Sequence, residues 1–173
     1  MNILKLNVVL CVKCNSASIS KGSEVSGGVT NITLENILVW NSRRAIRIKT
    51  APGRGGYVGQ ITYRNLTFNN VHVGIVIKTD NNEHLMLDMF LQRIPILRDI
   101  SFPNICDKGV HVLVSIQGSK EIPVRNVTLK DMNVRITYKN KHIFRCAFVD
   151  GWVIRTIFPK PCRNLDQYNE QGE

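Results

Sequence analysis

Five cations crowd one short stretch of this chain: Arg43, Arg44, Arg47, Lys49 and Arg54. Arg47 and Lys49 are two residues apart. On a β-strand that spacing puts both on one face about 7 Å from each other. Lys78 follows Lys49 by 29 residues, and in a stack of coils with that repeat it would stand roughly 5 Å away on the next strand. Three cations so close repel one another unless an anion lies across them. The chemistry this pattern points to is the clamping of an anionic group or polymer. A solvated basic face that keeps strand edges from pairing is the alternative. The whole chain is basic, with 23 Lys and Arg against 13 Asp and Glu and a net charge of +10. Nucleic acid fits less well as the anion. Only 7% of residues are aromatic, and no stacking platform is interleaved with the basic residues.

The elements that must carry these cations are visible as a repeat. Ile32 to Lys49 and Ile61 to Lys78 are related by a fixed offset of 29 residues, with seven of 18 positions identical. Weaker copies start at Ile100 and Val127, so the steps are 29, 39 and 27 residues. Periods of this size mean stacked repeats. Within each copy apolar and polar residues alternate, as in Ile32 and Leu34, Ile61 and Tyr63, and Ile46 and Ile48, which is the period of a strand with one buried face. An Asn or Asp recurs at one phase of each copy: Asn36, Asn65, Asn104 and Asp131. These residues tolerate left-handed backbone and bond nearby main-chain groups, so they suit a sharp bend between two short strands. The expected object is an all-β parallel β-helix whose Asn side chains form an inward ladder, each bonding the backbone of its neighbour. A β-sandwich also has short alternating strands, but gives no reason to repeat Asn at a fixed phase.

Length and composition set the scale. With 173 residues and 43% apolar content, one core can be buried, and about six coils fit. The expected organisation is a single partial β-helix domain over 1–173, with coils over 1–140 and an irregular tail over 141–173. No stretch approaches the ~20 apolar residues of a membrane span, and the first residues read as a strand rather than a secretion signal. Five cysteines, Cys11, Cys14, Cys106, Cys146 and Cys162, leave at least one unpaired. Cys11 and Cys14 form a C-x-x-C with no second pair or His pattern to complete a zinc site, so neither a metal nor a cofactor is expected. Asn31, Asn65 and Asn126 each open an N-x-T acceptor triplet, usable for glycans only in a secretory compartment.

The stretch Gly22 to Phe68, with Arg47-Ile48-Lys49 inside it, resembles the plant polygalacturonase family of glycoside hydrolases. The likeness continues through Gly74 to Asp80, Ile94 to Ile100, Phe144 to Gly151 and the terminal Pro159-Lys160-Pro161-Cys162. It implies a right-handed parallel β-helix, N-terminally truncated, that acts on pectin in the plant cell wall and is secreted there. It also implies that Arg47, Lys49 and Lys78 bind carboxylates of the galacturonate chain, and that Cys146 and Cys162 pair as a disulfide. Guanidinium and ammonium groups on one strand face suit a polymer with a carboxylate on every sugar. The partner is then an anionic polysaccharide, with the chain a monomer if folded.

The same resemblance shows what is missing. An inverting hydrolase needs a general acid and a general base about 6.5–9.5 Å apart; the family supplies them from N-T-D and D-D motifs, and this chain contains neither. The sequence thus resembles a C-terminal half, and no catalytic residue is assigned in it. A third motif, G-H-G-I-S-I-G-S, aligns with Ser16 to Ser23 and places Ala17 at its histidine. Glu24 is one carboxylate and cannot serve as both acid and base. Asn81 stands where the family has a sugar-contacting tyrosine, and the segment from His84 to Pro95 departs from the family pattern at the same length, as a compensated reading-frame shift would produce. Three functions follow as expectations: a polygalacturonase-like hydrolase inactive as this isolated chain, a non-catalytic pectin-binding module, or a non-functional truncated product prone to aggregate through an uncapped edge.

Overall fold

A computed structural model describes residues 4–7, 12–13, 19–21, 28–53, 55–79, 94–135, 143–155, 157 and 161–168. Among them there are eleven strands and no helix: β1 Leu4–Asn7, β2 Val12–Lys13, β3 Ile19–Lys21, β4 Gly28–Lys49, β5 Tyr57–Lys78, β6 Ile96–Lys108, β7 Val112–Gln117, β8 Val124–Asn133, β9 Phe144–Ala147, β10 Val149–Ile154 and β11 Asp166–Tyr168. Every strand pairing is parallel.

β4 and β5 have 22 residues each, which would extend roughly 70 Å if straight. They are not straight. The first part of β5 pairs with β6 and its last part pairs with β7, so one continuous chain segment serves two strands of the following coil. The bends responsible come every five residues. Asn31, Asn36 and Asn41 have φ of 57°, 60° and 48°, and Gln60, Asn65 and Asn70 follow with 53°, 55° and 51°. Asp99 and Asn104 continue the series on β6, as do Asn126 and Asp131 on β8. The parallel β-helix expected from the repeat is therefore the observed fold, with three bend columns in place of the single one legible as Asn36, Asn65, Asn104 and Asp131.

The ladder does not point inward. Asn36, Asn65 and Asn104 are exposed, and they bond each other: Asn65 Nδ2 donates to Asn36 Oδ1 at 3.0 Å, and Asn104 Nδ2 donates to Asn65 Oδ1 at 3.0 Å. Asn70 Nδ2 donates to Asn41 Oδ1 at 2.8 Å. A left-handed residue between buried Leu34 or Glu35 and buried Ile37 turns its own side chain out at the corner. An amide offers both donor and acceptor, so the column propagates through side chains alone. Asp131, acceptor only, takes Arg155 at 2.9 Å instead.

The space inside the coils is filled by register. Leu34 faces Tyr63, and Phe102 faces Leu129, with the Tyr63 and Phe102 rings stacked at 5.3 Å. Ile46, Ile75 and Val114 form another inward column and are fully buried. Burial pushes the pKa of the Tyr63 phenol up. The region from 141 onward is not simply irregular: β9, β10 and β11 extend the stack by pairing with β7, β8 and β10. β10 alternates buried Val149, Gly151 and Val153 with more exposed partners, the same two-residue period as the earlier coils.

Candidate functional site

The end of β4 sets the cations. Ala45, Ile46 and Ile48 are buried, which leaves Arg47 and Lys49 on the outer side, each half-buried. Two backbone columns then run across the stack. Ser20, Arg47, Val76, Ser115 and Arg145 stand in one register, and Lys49, Lys78, Gln117 and Ala147 in the other. Neighbouring strands are about 4.8 Å apart, so Lys49 and Lys78 start from adjacent rungs, with Arg47 two residues back along the same strand. Arg47, Lys49 and Lys78 also interact with other groups of the protein. The strand ends are held by the next coil: Thr50 N donates to Lys78 O at 2.9 Å and Thr79 N to Gln117 O at 3.1 Å, and both threonines are buried.

Arg145 is a candidate site residue that sequence reasoning overlooked. It is exposed and continues the Arg47 column on β9. The following residue, Cys146, is joined to Cys162 with the Cα atoms 5.6 Å apart, which ties β9 to the segment after β10. Ser115 and Gln117 add neutral hydrogen-bonding groups between the cations. The face as a whole can hold a row of carboxylates and hydroxyls.

Among the described residues, the carboxylates of Glu35, Asp99, Asp107 and Asp150 are each engaged away from this face. Glu35 is buried against the Arg64 guanidinium. Asp99 accepts from Arg98 Nε at 2.8 Å and from Asn126 Nδ2 at 2.5 Å. Asp107 accepts from the N–H groups of Gly109 and Val110 at 2.8 Å each, and its pKa is raised chiefly by burial. Asp150 accepts from Asn126 N at 2.8 Å. These bonds shape bends and turns. Among the described residues no three His, Cys, Asp or Glu come together as a metal-binding group.

Several sequence expectations fall outside the described residues: Cys11 and Cys14, the segment around Ala17 and Glu24, Asn81, and all but the last two residues of the stretch from His84 to Pro95. The three glycan acceptor asparagines all occupy bends. Asn65 is bonded on both sides within its column and Asn126 is bonded to Asp99.

Comparisons with known proteins bear on the family and the fold. A probable polygalacturonase of Vitis vinifera is 27% identical over 163 residues, covering 94% of this chain and 33% of that protein. A polygalacturonase of Gossypium barbadense is 30% identical over 146 residues, covering 78% of this chain and 33% of its own length. This chain thus spans about a third of the length of these plant relatives. Endopolygalacturonase II of Aspergillus niger is 39% identical over a shorter span of 72 residues. The crystal structure of a hyperthermoactive exopolygalacturonase from Thermotoga maritima superposes with a TM-score of 0.54 over 72% of this chain and 24% of that one, at 23% identity, a likeness of fold. The sequence pattern of glycosyl hydrolases family 28 matches residues 3–155, and the chain belongs to that family.

Proposed function

We propose that this chain binds the carboxylates of a polygalacturonate chain across Arg47, Lys49 and Lys78, as the substrate-holding part of a polygalacturonase-type β-helix. The observation that carries the reading is the register that sets Lys49 beside Lys78 with Arg47 on the same outer side. Arg145 extends that cationic row to β9. A uronic acid polymer offers one carboxylate per sugar, and guanidinium groups take carboxylates in bidentate geometry. The names of the relatives, polygalacturonases from Vitis and Gossypium, support the same substrate, whose place in the plant cell wall makes this an extracellular activity.

Bond cleavage is a separate matter. Inverting hydrolysis requires two carboxylates about 6.5–9.5 Å apart, and the N-T-D and D-D sequences are absent from these 173 residues. The contribution of this chain is therefore substrate holding, without proton transfer to the leaving group. The test is retention on immobilised polygalacturonate as sodium chloride is raised, with new reducing ends measured in parallel. The expected result is retention that weakens with salt, because exposed charge pairs are screened within about 10 Å at 0.1 M, and no new reducing ends. Salt-independent retention, or none, sinks the proposal; release of reducing ends sinks the non-catalytic part of it.

A further inference from the structure

A second polar column lies outside the cation face. Ser42 pairs with Val71 and Arg44 with Val73, so Arg43 stands opposite His72; Val73 pairs with Val112, so His72 stands opposite His111. The three side chains occupy one outer column on three successive coils, and all three are exposed. The two imidazole rings lie 5.2 Å apart and are tilted by 48°. They border a concavity of about 430 Å³ lined by Asn41, Ser42, Arg43, Asn70, His72 and His111.

The lining sorts into groups already used and groups still available. Asn41 accepts from Asn70 at 2.8 Å, and Ser42 Oγ donates to Arg44 O at 2.9 Å. The side chains of Arg43, His72 and His111 make no hydrogen bond or ion pair with other described residues, while the His111 backbone N–H donates to Val71 O at 3.3 Å. What faces the concavity is thus a guanidinium with five N–H donors and two imidazoles, each with a ring face and a nitrogen donor. A divalent metal would suit the two imidazoles but not the fixed positive charge beside them. An acidic sugar suits all three, with its carboxylate on the guanidinium and its hydroxyls and ring face on the imidazoles.

We propose that Arg43, His72 and His111 form a second acidic-sugar-binding column, parallel to the Arg47, Lys49 and Lys78 face. This rests on the proposed binding of polygalacturonate. Arg43 precedes Arg47 by four residues on β4, a separation of at most about 13 Å, so the two columns climb the stack side by side.

The test uses trigalacturonate titrated into the whole chain. The imidazole resonances of His72 and His111 are followed by NMR, and affinity is compared with two variants. One combines Arg43→Gln, His72→Gln and His111→Gln; the other combines Arg47→Gln and Lys49→Gln. Shifts at both imidazoles, with affinity at least tenfold weaker in the first variant, are expected. If the second variant loses affinity while the first keeps it and the imidazoles do not respond, this column is refuted and the Arg47 reading stands. If the first variant alone loses affinity, the column stands and the Arg47 reading falls. No binding at any concentration overturns both, and imidazole shifts with zinc chloride but not with trigalacturonate make the pair a metal site and overturn the sugar assignment.

Discussion

Two kinds of polar column climb the same stack of coils. At the middle bend Asn36, Asn65 and Asn104 repeat one residue type, and each amide donates to the one before it at 3.0 Å. On the flat face Lys49 and Lys78 also repeat one residue type in register, but identical cations a strand apart repel where identical amides bond. The amide column is therefore complete within the protein, whereas the role proposed for the cation column is to hold an outside anion. A repeated residue that complements itself is explained by the fold. A repeated residue that opposes itself is not explained by its own repeat: Lys49 and Lys78 interact with other groups of the protein, and the proposed anion adds to those.

The most severe way to break this comparison removes the frame that both columns share. Gly151 has φ of 146°, and a Cβ there would come within 2.0 Å of Val127 O. It lies at a register shift between β10 and β8. Gly151→Ala is expected to cost about 4 kcal/mol or more, read as a lowered midpoint in urea. A near-wild-type midpoint would mean that β10 does not pack on β8 this closely.

Opening the Cys146 and Cys162 link acts on one end of the cation face and leaves the amide column alone. The bridge closes a separation of 16 residues, so reduction is expected to cost about 3 kcal/mol by loop entropy. Alkylation of the unreduced protein should label neither residue; label at both refutes the pairing. Next in size, Arg47→Gln with Lys49→Gln is expected to weaken polygalacturonate binding about a hundredfold, or ~2.8 kcal/mol. The denaturation midpoint should fall by the equivalent of no more than about 1 kcal/mol, the usual worth of partly exposed charge interactions such as those these cations make within the protein. A fall in stability equal to the fall in affinity would put these cations in the structural class with the amides.

How much of this was legible beforehand follows from the same contrast. The 29-residue offset could be read because parallel pairing keeps Ile32 beside Ile61 and Lys49 beside Lys78. The middle bend showed itself as Asn, Asn, Asn, Asp. The outer bends did not, because their columns mix residue types: Asn31, Gln60, Asp99 and Asn126 in one, and Asn41, Asn70 and Gly109 in the other. The five-residue spacing of Asn31, Asn36 and Asn41 was the available signal. Arg145 stayed hidden because the two coils between it and Arg47 carry Val76 and Ser115 in that register, and because strands of three to six residues are too short to display a period. The direction of the ladder was not legible either: residue type announces a bend, but only the exposure of Asn36 and Asn65 beside buried Ile37 and Leu66 shows that the bend turns its side chain outward.

The finest test separates the two jobs each bend asparagine performs. Asn65 holds φ of 55° and makes two amide bonds, one to Asn36 and one from Asn104. Asn65→Ala loses both bonds and puts a residue poorly suited to left-handed backbone at the corner, for an expected loss of about 2 kcal/mol. Asn65→Gly loses the same bonds but adopts that backbone freely, for about 1 kcal/mol. The difference between the two midpoints measures the bend, and the glycine variant measures the column. Because Asn65 is exposed, water replaces part of what the amides lose, which keeps the second figure small. Neither variant should change polygalacturonate binding, since the amide column is complete without a ligand. If Asn65→Gly weakens binding as much as Arg47→Gln with Lys49→Gln, the amides and the cations belong to one site and the distinction between the two columns fails.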